Sequence, residues 1–168
     1  CLLIGLPPVV GLAAEPADSI LQQAGVQGGI IVHIGCGDGT LSAALGNREC
    51  YLVQGLDFHA EHVAKARQTI QSTGQYGRIS VSHWDGGRLP YADSLVNLVV
   101  ASGKCQVADE EISRVLAPNG VAVKLDPETR NLKPETFFRK SWPSVIDEWP
   151  HYLYGPDNNA VAHDSVVG

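Results

Sequence analysis

Three glycines at alternate positions constrain this chain more than any other feature. They fall in the segment Gly29-Ile-Ile-Val-His-Ile-Gly-Cys-Gly-Asp-Gly39. Ile30, Ile31 and Val32 read as a buried strand, and Thr40 to Leu45 reads as a helix. Gly35, Gly37 and Gly39 between them allow a sharp turn and let a ligand approach where a Cβ would block it. The helix that follows points its first N–H groups toward the same spot. The spacing is G-x-G-x-G, one residue shorter than the G-x-G-x-x-G of dinucleotide sites, which favours a nucleoside without a pyrophosphate. A plain tight strand-to-helix turn is the bland alternative.

A second strand, Val53 to Asp57, ends on an acid 22 residues beyond Gly35. In doubly wound sheets an acid about 20 positions past the glycines binds ribose hydroxyls, since two hydroxyl donors match two carboxylate oxygens. Asp57 could instead cap the next helix, expected over His59 to Thr73 with Val63, Ala66 and Ile70 on one face. The two roles are compatible. Apolar runs then alternate with helical patterns, which predicts βαβ units and a parallel sheet. The further strands expected are Ile79 to Trp84, Leu95 to Ala101 and Val121 to Leu125. A helix lined by Ala108, Ile112, Val115 and Leu116 precedes the last of these, separated from it by a turn at Pro118-Asn-Gly120.

These segments, in this order over about residues 20 to 125, resemble the class I S-adenosylmethionine-dependent methyltransferases. The resemblance implies a three-layer α/β, Rossmann-like parallel sheet in the order 3-2-1-4-5, with the family's strands 6 and 7 missing. It implies S-adenosylmethionine as cofactor, held by His33, Gly35, Cys36, Gly37, Gly39, Asp57, Phe58, Asp85, Gly86 and Ser102. Asp85 would accept from the adenine amino group. His83, Asp85 and Ser102 are the nearest candidates for a general base, and the catalytic residue stays unassigned. His33 departs from the pattern, because the family has an acid there to help hold the methionine end.

Two function classes therefore stand side by side. One is a methyltransferase acting on a small-molecule acceptor. The other is a degenerate module of the same fold that scaffolds a larger protein. The region between Ala101 and Glu111, which often carries substrate contacts in the family, is short here. A nicotinamide site ranks below both, on the glycine spacing.

Charge and cysteines narrow the partners. The net charge is −6 with scattered Lys and Arg, so no electrostatic footprint for nucleic acid is expected. Cys1, Cys36, Cys50 and Cys105 have no metal spacing, and Cys36 reads as a small packing residue in the turn. His59 and His62 could share a metal, although a solvated helix face is the stronger reading.

The ends are unusual. Residues 1–14 are apolar, too short to span a bilayer, and look like the remnant of a secretory signal, which would place the chain in an exported, periplasmic setting. A packed N-terminal arm is the alternative. The domain proper is expected over 15–126, with a first helix at Ser19 to Ala24. With no methionine at any position, the chain reads as a fragment or a trimmed product. Residues 127–168 hold Phe137, Phe138, Trp142, Trp149, Tyr152 and Tyr154 but are punctuated by Pro134, Pro143, Pro150 and Pro156. They read as an irregular wrapping tail. From Ile146 on, the tail resembles a junction to a pyrroloquinoline-quinone-type β-propeller in large exported bacterial proteins.

Overall fold

The computed structural model describes residues 11–103, 107–125 and 134–144. The order of elements is α1 (Gly11–Ala24), β1 (Gly29–Ile34), α2 (Thr40–Leu45), β2 (Tyr51–Asp57), α3 (Ala60–Ser72) and β3 (Ile79–His83). Then come β4 (Val96–Ser102), α4 (Asp109–Val115), β5 (Leu116–Leu125) and β6 (Pro134–Arg139). The sheet order is β3-β2-β1-β4-β5-β6, parallel from β3 to β5. β1 lies at the centre, as its unbroken Ile30-Ile-Val run requires of a strand covered on both faces.

Alternation along each strand sorts side chains to two cores. Ile31, Val53, Val81 and Leu98 face α1, α2 and α3, meeting Ile20, Leu45, Val63, Ala66 and Ile70. Val32, Ile34, Leu56 and Val99 face the other way, meeting Ile112 and Val115 of α4 together with Trp84 and Leu89. The periodic positions expected on α3 are thus the buried ones, and of those expected on the last helix Ile112 and Val115 are buried in α4, whereas Ala108 is exposed ahead of it and Leu116 belongs to β5. The result is a Rossmann-like three-layer fold.

No helix spans the crossover from β3 to β4. Residues 84–95 pass over the second face as an irregular segment tied to α4. Arg114 donates to the carbonyls of Leu89 and Tyr91 and to the carboxylates of Glu111 and Asp93, and Glu111 accepts from the Leu89 N–H. One guanidinium fork thus satisfies carbonyls that a crossover helix would have satisfied itself.

Three expectations change. Residues 134–139 form a sixth strand, antiparallel to β5, with Ala122 opposite Phe138 and Lys124 opposite Thr136. The exposed edge of β5 needed partners, and Thr136-Phe-Phe138 is a β-prone run. Pro134 sits at the strand's first position, where its missing N–H does no harm. Phe138 is only half-buried, and so is Trp142 beyond the strand. The side chain of Phe137, and Trp149 with the propeller-like junction, lie outside the described residues.

The turn at Pro118-Asn-Gly120 is a bulge inside β5 rather than a separator. Leu116 still pairs with Val96, pairing resumes at Val121 with Leu98, and Asn119 takes φ +63°. The first helix extends back from the expected Ser19 to Gly11 and carries Pro16 inside it. A proline is a sequence-level stop signal, which is why the earlier turns went unread. Residues 1–10 lie outside the description, and among the described residues no helix is long and apolar enough to cross a membrane.

Candidate functional site

Every residue expected at the site belongs to the carboxyl ends of β1, β2, β3 and β4, where open α/β sheets place their ligands. The glycine turn has the conformation its composition predicts. Gly35, Gly37 and Gly39 all have positive φ, at +73°, +55° and +79°. Their reasons differ. A Cβ on Gly37 would meet nothing within 4 Å, so space stands open above the loop. A Cβ on Gly39 would lie 2.8 Å from the Cα and Cβ of Ala66, so this glycine lets α2 pack on α3. Cys36 is buried, and a Cβ on Gly55 of β2 would come within 3.0 Å of its Sγ. The sequence reading missed Gly55. A glycine inside a strand marks a close approach, and here the approaching group is the predicted packing cysteine.

Asp57 joins the loop to the second strand. It is only 3% exposed. Its Oδ2 accepts the Gly37 N–H at 2.9 Å, and its Oδ1 accepts the His59 N–H at 2.9 Å. His62 Nδ1 lies 3.0 Å from the same Oδ1. A carboxylate only accepts, so His62 carries its proton on Nδ1. Burial alone would raise the Asp57 pKa, but the hydrogen bonds from His59, Gly37 and His62 outweigh it and hold the carboxyl below its ordinary value. The N-cap of α3 is His59 and no side chain caps the helix, so Asp57 does not take the capping role weighed for it; it accepts the N–H of the residue just ahead of the helix. His59 is the extended residue ahead of α3.

His33, buried at 2% exposure, bridges two serines. Its Nδ1 lies 2.7 Å from Ser42 Oγ in α2 and its Nε2 lies 2.8 Å from Ser102 Oγ at the tip of β4. Burial lowers its pKa to about 4, against a smaller opposing pull from Asp57, so the ring is neutral at pH 7. Ser42 went unread in the sequence, yet a buried histidine needs partners on both nitrogens, and a serine on the inner face of α2 supplies one.

The far rim is more open. Asp85 is exposed and accepts the Gly87 N–H at 3.1 Å. Gly86, at φ +88°, leaves room for Phe58, whose ring a Cβ there would approach to 2.9 Å. Phe58 in turn packs on Trp84 with ring centroids 5.0 Å apart. His83 donates from Nε2 to the Phe58 carbonyl at 3.0 Å. It is thereby engaged with the backbone, as Ser102 is with His33. His59 and His62 stack edge-on at 4.9 Å.

An open loop above Gly37, an acid at the tip of the second strand and the aromatic Phe58 next to it stand together at the carboxyl edge of a Rossmann-like sheet. The comparisons agree with that class. Residues 31–120 match the methyltransferase domain family, more than half of the chain, and the chain belongs to it. No curated protein matches. Among solved structures, a Methanococcus maripaludis protein described as an S-adenosyl-L-methionine-dependent methyltransferase is 27% identical with a TM-score of 0.60. That match covers 68% of this chain and 57% of that one. An Aquifex aeolicus methyltransferase of the same dependence is 19% identical at TM-score 0.60, over 71% of this chain and 68% of its own. The geranyl diphosphate C-methyltransferase of Streptomyces coelicolor, solved with Mg2+, geranyl diphosphate and S-adenosyl-L-homocysteine, is 18% identical at TM-score 0.60. It is matched over 66% of this chain and 44% of its own. The last two carry the fold alone. The chain spans little more than half the length of the Methanococcus protein and less than half of the Streptomyces one.

Proposed function

We propose that this domain binds S-adenosylmethionine across the carboxyl edge of its sheet and transfers the methyl group to a small-molecule acceptor. The observation that carries the reading is the Gly37–Asp57 hydrogen bond, which locks an open glycine loop onto a buried, ionised carboxylate. The residues fit the cofactor. Its ribose would meet Asp57, its adenine would lie by Phe58 with Asp85 at the rim, and its amino-acid end would lie toward Ser102.

When bound, the cofactor supplies a methyl group already activated by a sulfonium. The protein's task is then chiefly to position it, with acceptor, methyl carbon and sulfur held in line. The rigid backbone clamp at Gly37 and Asp57 serves that task. Ser102, fixed by His33, is the hydroxyl best placed to orient whatever approaches from the β4 side. Calorimetric titration with S-adenosylmethionine and with NAD tests the reading. Saturable binding of the first alone supports it, and binding of neither refutes it.

A second reading rests on His33. A neutral imidazole with both nitrogens engaged cannot form the ion pair that an acid would offer an ammonium group. This supports a module that keeps the fold and has given up catalysis. Binding without turnover against a panel of hydroxyl, amine and thiol acceptors would favour it.

A further inference from the structure

Asp57 has about four lone-pair sites on its carboxylate. Three are in use, by the N–H groups of Gly37 and His59 and by His62 Nδ1. The two backbone donors belong to the glycine turn and the start of α3, and neither can leave without dismantling that turn. His62 is different. It reaches Asp57 on a side chain that is 50% exposed, from the first turn of α3.

A ribose diol brings two hydroxyl donors. The carboxylate has one site spare, and it has two only if His62 lets go. We propose that His62 is a displaceable stand-in for the ribose, satisfying the outward side of Asp57 in the free protein and yielding its place when a nucleoside binds. This rests on the cofactor reading above and adds to it a residue that tunes affinity for ribonucleosides.

Three details support the exchange. His62 supplies the same chemistry as a hydroxyl, a single N–H donated to one carboxylate oxygen. Leaving Asp57 uncovered would strand a 3%-exposed charge short of a donor, so the free protein gains from having one at hand. The released imidazole has space to enter, an open cavity of about 560 Å3 lined by Phe58, His59, Ala60, Glu61, His62 and His83.

The test uses the full 168-residue chain, with S-adenosylhomocysteine as the probe. Calorimetry compares wild type, His62→Ala and His62→Gln, each checked for an unchanged circular dichroism spectrum. For a half-exposed pair the competition is worth about a two- to fivefold change in affinity. His62→Ala should bind that much more tightly. His62→Gln, which keeps an N–H donor, should stay near wild type. Nitrogen-detected imidazole spectra give a second readout, in which the Nδ1-protonated form of His62 should lose its hydrogen bond as probe is added. Equal or weaker binding by His62→Ala, with binding by wild type intact, overturns the exchange alone. An absence of binding by both proteins overturns the cofactor reading with it.

Discussion

Lowering the pH should destabilise this fold in a window set largely by one residue, His33. Unfolded, it takes up a proton as the pH falls through 6.5; folded, it resists until about 4. Between those values the unfolded chain binds more protons than the native one, so stability falls as pH falls. The contribution is complete above 6.5 and gone near 4. At 1.36 kcal/mol per pH unit it amounts to about 3 kcal/mol. The hydrogen bonds are not the cause, because a neutral imidazole accepts from one serine and donates to the other, while an imidazolium can donate to both hydroxyls. Burial of a charge is the cause. Urea unfolding of wild type and His33→Asn, followed by tryptophan fluorescence from pH 7.5 to 4, measures the effect. The difference between the curves removes the contribution of Asp57, which has the same sign at lower pH. Wild type should lose roughly 1 kcal/mol per pH unit more than the variant below 6.5. Parallel curves would refute the argument.

The two glycines of the turn should separate by assay. Gly39→Ala places a Cβ 2.8 Å from Ala66 at φ +79° and should cost about 2–4 kcal/mol in denaturant unfolding. Gly37→Ala meets only the left-handed backbone penalty, about 1–2 kcal/mol, and should lose S-adenosylmethionine binding out of proportion to stability in calorimetry. Asp57→Ala strands the Gly37 N–H and should both destabilise by about 2 kcal/mol and weaken cofactor binding at least tenfold, whereas Asp57→Asn should lose less stability. Arg139 donates to the carbonyls of Ala24 and Asn119, so Arg139→Ala should lower hydrogen-exchange protection across β6 by about tenfold and leave β1 unchanged.

Short-range signals carried most of the fold. Apolar runs in β1 and β4 and apolar–polar alternation in β2 and β3 located the four strands within two residues at each end, and the Val63, Ala66, Ile70 stripe located α3. What stayed hidden needed long-range partners. β6 is a strand because β5 offers an open edge, and nothing local in Pro134-Glu-Thr-Phe-Phe-Arg139 announces that edge. The crossover after β3 depends on Arg114, more than twenty residues downstream of the carbonyls it satisfies. At the site, the sequence revealed the loop, the acid and Ser102, but not the loop–acid hydrogen bond, nor Ser42 and the bridge His33 makes between the two serines. A side-chain bridge between two loops leaves no periodic trace.

Bracing of the glycine turn and the proposed ribose contact at Asp57 are one arrangement viewed from two sides. A carboxylate this buried is tolerable only with donors around it, and the nearest are the N–H groups of the glycine turn and of the start of α3. Accepting both fixes the turn in its left-handed conformation before any ligand arrives, so no ordering of the loop is charged against binding. The same two bonds hold the carboxylate rigid and ionised, with its remaining acceptor sites turned toward His62 and the open space above the loop. An acid that served only as a cap could be replaced by asparagine or serine with a small change. Here the negative charge and a third donor carried on a half-exposed side chain go beyond what a cap requires, and both suit the proposed ribose contact.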